Sequence, residues 1–210
     1  MSNNRKLVLF IAASLDGYIA TEDDSLEWLF KVEGEGDNGY SEFFDTVDTI
    51  LMGRRTYDWI IEKEKGNFPY KNKKCYVFSR SEKGKNENVE FIDQDVVEFT
   101  NEIKRQDGGN IWLVGGGVLL DSFMKVKLVD EFIITIAPIL LGRGIPLFRK
   151  NDCELELKLL GIRRFNQFVE LHYEAVSADP FYSEKNLAHL RRGIEVLNAG
   201  KGVEQEENLD

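Results

Sequence analysis

Ile111-Trp112-Leu113-Val114-Gly115-Gly116-Gly117-Val118-Leu119-Leu120-Asp121-Ser122-Phe123 is an apolar run that enters three consecutive glycines and leaves as an amphipathic pattern. It reads as strand, tight turn and helix. Glycine has no Cβ, so such a junction accepts positive φ and lets a ligand approach the backbone closely. The helix beyond it offers unpaired N–H groups and the positive end of its dipole, which suit a phosphate group. A tight connection without any ligand has the same pattern.

Three other strand ends carry polar groups of the same kind. Residues 7–13 (LVLFIAA) are a continuous apolar run of strand length, as in a central strand covered on both faces. The run stops at Ser14-Leu15-Asp16-Gly17-Tyr18-Ile19-Ala20. Asp16 stands at the carboxyl end of that strand, where open α/β sheets place their ligands, or it supports the Asp-Gly turn. Residues 49–52 form a second buried strand that ends in Gly53-Arg54-Arg55-Thr56-Tyr57, where a helix begins. Two guanidinium groups and a hydroxyl at a glycine turn fit phosphate oxygens. Residues 74–78 form a third strand, leaving through Ser79-Arg80.

The remaining chain alternates strands and helices and then turns antiparallel. Asp23-Asp24-Ser25 reads as a cap before a helical turn at 26–30, and Ser41 as the cap of a short helix through Phe43, Phe44 and Val47. Residues 89–92 read as a strand, 96–105 as an amphipathic helix with Val97 and Ile103 inward, and 129–138 as a strand. Two alternating segments, 154–164 and 168–176, form an expected hairpin around Asn166-Gln167. The pattern predicts a mixed sheet with helices on both sides.

The 37 acidic residues against 27 basic ones give a net charge of −10, which argues against nucleic acid or an anionic membrane as partner. The start is polar and no apolar run approaches the ~18 residues of a spanning helix, so the cytoplasm is the expected location. Cys75 and Cys153, with only His172 and His189 besides, make no metal-ligand spacing and no disulfide framework. Cys75 reads as a small buried hydrophobe.

The four junctions, followed by Pro138-Ile139-Leu140-Leu141-Gly142, resemble in order and spacing the dihydrofolate-reductase-like family over about residues 5 to 176. More closely, they resemble its branch formed by the reductase domain of riboflavin biosynthesis, the C-terminal domain of RibD, and its stand-alone relatives. The resemblance implies a three-layer α/β/α fold with a mixed, mostly parallel sheet, a C-terminal antiparallel hairpin, and NADPH bound across the carboxyl ends of the strands. It places Ala12, Ala13 and Ile19 by the nicotinamide. Gly53, Arg54, Arg55 and Thr56 hold the pyrophosphate and part of the adenosine phosphate, and Ser79 and Arg80 take the 2′-phosphate. The glycine turn, Gly115, Gly116 and Gly117, with Val118 and Leu119, covers the pyrophosphate from the other side. Thr135 matches a threonine of the substrate pocket.

The chain departs from dihydrofolate reductase proper at the substrate-binding acid. At the matching place it has Ser25-Leu26-Glu27-Trp28, with Asp24 just before and Glu27 just after. Asp16, Asp24 and Glu27 are therefore the candidate acids, and a pyrimidine, pterin or other small imine or carbonyl is expected rather than folate. The implied activity is an NADPH-dependent reductase, expected as a homodimer. The alternatives are a dihydrofolate reductase and a non-catalytic protein that binds the cofactor or acts through its tail.

That tail begins at Ser177-Ala178-Asp179-Pro180, which reads as a linker closing a domain of residues 1–176. Beyond it, Leu187, Leu190, Ile194 and Leu197 form an apolar stripe at helical spacing before an acidic end. Residues 181–187 and then 198–202 resemble the C-terminal toxin-wrapping segment of RelB/YefM-type antitoxins, which implies a protein partner for this helix.

Overall fold

The computed structural model describes residues 5–150 and 153–176. The expected tail helix lies outside them. The elements follow as β1 (Leu7–Ser14), β2 (Tyr18–Ala20), α1 (Glu27–Phe30), α2 (Tyr40–Asp45), β3 (Val47–Gly53), α3 (Arg54–Lys63), β4 (Lys74–Phe78), β5 (Gly84–Lys85) and β6 (Glu90–Ile92). The second half holds α4 (Val96–Lys104), β7 (Asn110–Gly115), α5 (Gly117–Lys125), β8 (Glu131–Ala137), β9 (Ile145–Pro146), β10 (Leu157–Phe165) and β11 (Phe168–Ala175).

Nine strands form one sheet in the order β10-β11-β8-β1-β7-β3-β4-β6-β5. The six strands from β8 to β6 run parallel, while the hairpin β10–β11 is antiparallel on one edge and β5 on the other. Apolar side chains alternate between the two faces of each central strand. Leu7, Leu9, Leu51, Ile111, Leu113 and Phe132 pack with Phe99 and Ile103 of α4 and Leu119, Leu120 and Phe123 of α5. Val8, Ile50, Met52, Trp112 and Ile133 pack instead with Phe43 of α2 and Tyr57 and Ile60 of α3. The result is the expected three layers around a mixed, mostly parallel sheet with a C-terminal hairpin.

The differences from the sequence reading are local and have local causes. The helix cap expected at Ser41 falls on Gly39, whose left-handed φ of 79° starts α2 at Tyr40. Asp37 does the capping from before the turn, its carboxylate accepting the Gly39 and Ser41 amides at 3.1 and 2.8 Å. Before α1, Leu26 is the capping position with no side-chain bond, Ser25 Oγ reaching only the Glu27 amide at 3.3 Å. In α4 the buried residues are Phe99, Thr100 and Ile103, with Val97 half-buried. The ribbon formed by β2 and β9 escaped the sequence reading because its three-residue and two-residue strands carry no periodicity.

Candidate functional site

All the parallel strands end along one edge of the sheet, and the glycine turns meet there. Because β7 lies between β1 and β3, the turn at residues 115–117 sits beside the turn at Gly53. Gly115 and Gly116 have φ of 111° and 86°, conformations that side chains with a Cβ rarely adopt. A Cβ on Gly116 would stand 2.9 Å from Thr56 Oγ1, and one on Gly53 would stand 3.6 Å from Leu119 Cβ. The first turns of α3 and α5 therefore lie side by side. Neither helix has a side-chain cap. The first-turn N–H groups of an α-helix lack intrahelical partners, so two sets of donors and two dipole ends converge on one place.

The loops after β1 and β8 lie over this edge. In their ribbon Tyr18 pairs with Pro146 and Ala20 with Ile145, and a Cβ on Gly117 would stand 3.4 Å from the Pro146 carbonyl oxygen. Ile19 of the ribbon packs against the cluster that contains Leu119 and Leu147. Ala13 is fully buried at the end of β1, and Ala12 beside it is half-buried.

The charged groups fall into two sets. Arg54 Nε bonds both carboxylate oxygens of Asp58 at 2.7 and 2.9 Å, its Nη1 pairs with Glu82, and its guanidinium lies 5.4 Å over the Phe91 ring. Arg55 Nη2 pairs with Asp24 at 2.5 Å. Arg80, exposed after β4, has no ion-pair partner among the described residues. Ser79 is buried and its Oγ accepts the Glu82 amide at 3.0 Å, turning the chain across the end of β4.

The three candidate acids do not share one place. Asp16 accepts the Ser14 hydroxyl at 2.6 Å and the Leu141 and Gly142 amides at 3.1 and 2.7 Å, so it fastens the loop after β1 to the loop after β8. The Ser14 bond above all, with the two amides, holds its carboxyl below the usual aspartate range. Asp24 has a φ of 62° and joins α3 twice, through Arg55 and through its carbonyl, which accepts Trp59 Nε1 at 3.2 Å. Glu27 is exposed in the first turn of α1. Thr135 is buried on β8, opposite Ala12 on one side and Glu170 on the other.

Two residues of this region escaped the sequence reading. Glu170 is buried on β11, and Trp28 of α1 packs on Ala137 and Phe168. The available signal was a carboxylate in the same strand phase as Phe168.

Known proteins share this family and this fold. A model of the RibD C-terminal domain matches residues 5–171. The uncharacterised protein YwjB of Bacillus subtilis is 50% identical over 170 residues, covering 80% of this chain and 97% of its own length. The crystal structure of a putative riboflavin biosynthesis protein from Shewanella sp. PV-4 is 29% identical with a TM-score of 0.74, covering 82% of this chain and 99% of that one. Dihydrofolate reductase from Enterococcus faecalis, solved as a complex with NADP(H), shares the fold at 17% identity and a TM-score of 0.59, with 82% and 97% of the two chains covered.

Proposed function

This chain belongs to the family of RibD C-terminal domains, and from that premise we propose that it is a reductase that uses NADPH to transfer a hydride to a C=N or C=O of a small pyrimidine- or pterin-like molecule. The proposed activity is similar to that of 5-amino-6-(5-phosphoribosylamino)uracil reductase of riboflavin biosynthesis. The observation that carries it is the meeting of two uncapped helix starts where Gly116 faces Thr56 at the carboxyl ends of β3 and β7. Backbone donors on two sides, with the Thr56 hydroxyl beside them, fit a pyrophosphate.

NADPH supplies the hydride, and the protein supplies position and charge. In this proposal the amides of residues 54–56 and 117–119 hold the pyrophosphate. Arg54, Arg55, Ser79 and Arg80 face the adenosine side, with Arg80 on the 2′-phosphate, which a guanidinium fits in a forked geometry. Ala12, Ala13 and Ile19 form the apolar wall for the nicotinamide, and Thr135 lines the substrate side. Asp16, held ionised, is a poor proton donor, and Asp24 is committed to Arg55. Glu27 is the candidate acid open to exchange with solvent.

The test is NADPH oxidation screened against pyrimidines, pterins, folates and simple carbonyls. Turnover with a pyrimidine or pterin, and poor turnover of dihydrofolate, is expected. Rapid turnover of dihydrofolate, undiminished when Asp24 and Glu27 are both replaced, contradicts the substrate assignment.

A further inference from the structure

Glu170 is only 2% exposed, yet half of its carboxylate is unused. Its Oε1 accepts Arg163 Nε at 2.7 Å, while Oε2 has no hydrogen-bond partner among the described residues. Buried polar atoms are nearly always paired, because leaving one unmade forfeits the bonds it had in water.

The position of this oxygen gives it a use. Strand register places Glu170 opposite Thr135 and Thr135 opposite Ala12, so these three side chains share the face of the sheet that α2 covers. Side chains directly opposite on neighbouring strands are in reach of one another. Two residues along the same strands and on the same face lie Ala137 and Phe168, and Trp28 packs on both. Trp28 Nε1 is likewise buried without a partner among the described residues. An unpartnered acceptor thus lies on the strand beside Thr135, and an unpartnered donor belongs to the side chain packed two residues further along the same face.

We propose that Glu170 Oε2 accepts a ring N–H of the substrate and that Trp28 Nε1 donates to a neighbouring ring carbonyl, so that the pair selects flat heterocycles with a lactam edge. The inference rests on the reductase reading, which sets the nicotinamide beside Ala12. A plainer role for Glu170 is to brace Arg163, which also pairs with Glu42 of α2 at 2.5 Å. The two roles differ in what the substitution Glu170→Gln does, since the amide still accepts from Arg163 but presents a donor where the substrate N–H would bind.

The test uses the full chain saturated with NADP⁺ and two probes, 5,6-diaminouracil and its 1,3-dimethyl counterpart, which keeps the carbonyls and lacks the ring N–H groups. Calorimetric titration should show the wild type binding the first roughly 10- to 100-fold tighter, the range of a charge-assisted hydrogen bond. Glu170→Gln should remove that preference and leave NADP⁺ affinity unchanged, and Trp28→Phe should weaken both probes alike. A wild type without preference, or a Glu170→Gln variant that keeps it and merely melts earlier, overturns the inference. Failure of NADP⁺ itself to bind would instead overturn the reductase reading, and this inference would fall with it.

Discussion

Arg54 and Arg80 stand at the same edge of the sheet but hold their charges differently. Arg54 is fixed by Asp58, Glu82 and the Phe91 ring, whereas Arg80 has no ion pair among the described residues. Replacing either with alanine should weaken NADPH much more than NADH, by about 1.5 to 3 kcal/mol for one charge-assisted contact. Arg54→Ala should cost more, because it also leaves Asp58 and Glu82 unneutralised near the phosphates. Equal losses for both cofactors, read from fluorescence titrations, would remove these residues from the 2′-phosphate. The lowered pKa of Asp16 means that its loop brace is complete above the ordinary aspartate range and is lost as pH falls through the lowered value. Asp16→Asn should speed hydrogen exchange at the Leu141 and Gly142 amides at neutral pH, and unchanged exchange would contradict the brace. Cys75 shows the opposite effect, since burial pushes its thiol up to about 12 and makes it unreactive at neutral pH. The polar groups at strand ends were legible in the sequence because each follows an apolar run directly. The pairing of Arg55 with Asp24 and the burial of Glu170 were not, because both depend on which strands and loops become neighbours.

At the scale of elements, the glycine turn carries the most specific expectation. Gly116 combines a φ of 86° with Thr56 Oγ1 only 2.9 Å from where a Cβ would stand. Gly116→Ala should destabilise the fold by on the order of 1 to 3 kcal/mol through backbone strain. It should also abolish NADPH binding by displacing the first turn of α5 or the Thr56 side chain. Gly161→Ala, at a position with nothing within 4 Å and no positive φ, is the control and should change neither. A Gly116→Ala variant that binds NADPH normally would show that the turn is only a connection. The central strands were readable because they are covered on both faces and so appear as unbroken apolar runs. Their order was not readable. The pairing Leu7↔Ile111 joins strands far apart in the sequence, and no local pattern specifies it.

Across the whole molecule, the edge opposite the glycine turns is held by buried charges. Arg5, 4% exposed, pairs with Asp48 and donates to the carbonyls of Gly109 and Ile103 at 2.9 and 3.1 Å, tying the start of β1 to the segments around β3 and β7. Beside it, Glu131 accepts from Lys6 and meets His172 Nε2 at 3.0 Å. Burial alone would raise the Glu131 pKa, but the bonds from Lys6 and His172 outweigh it and hold the carboxyl below its ordinary value. The cluster therefore stabilises the fold above the ordinary glutamate range, and that contribution is lost as pH falls through the lowered value. Glu131→Gln should cost about 1 to 3 kcal/mol at neutral pH and less in acid, as urea unfolding at several pH values would show. A loss independent of pH would contradict this account of the pairing. Both ends of the parallel strands thus serve one arrangement, a clamped sheet whose other end carries two open helix starts. The most direct measurement is fluorescence titration of the full chain with NADPH and with NADH. The account predicts saturable NADPH binding much tighter than that of NADH, and binding of neither cofactor would contradict it.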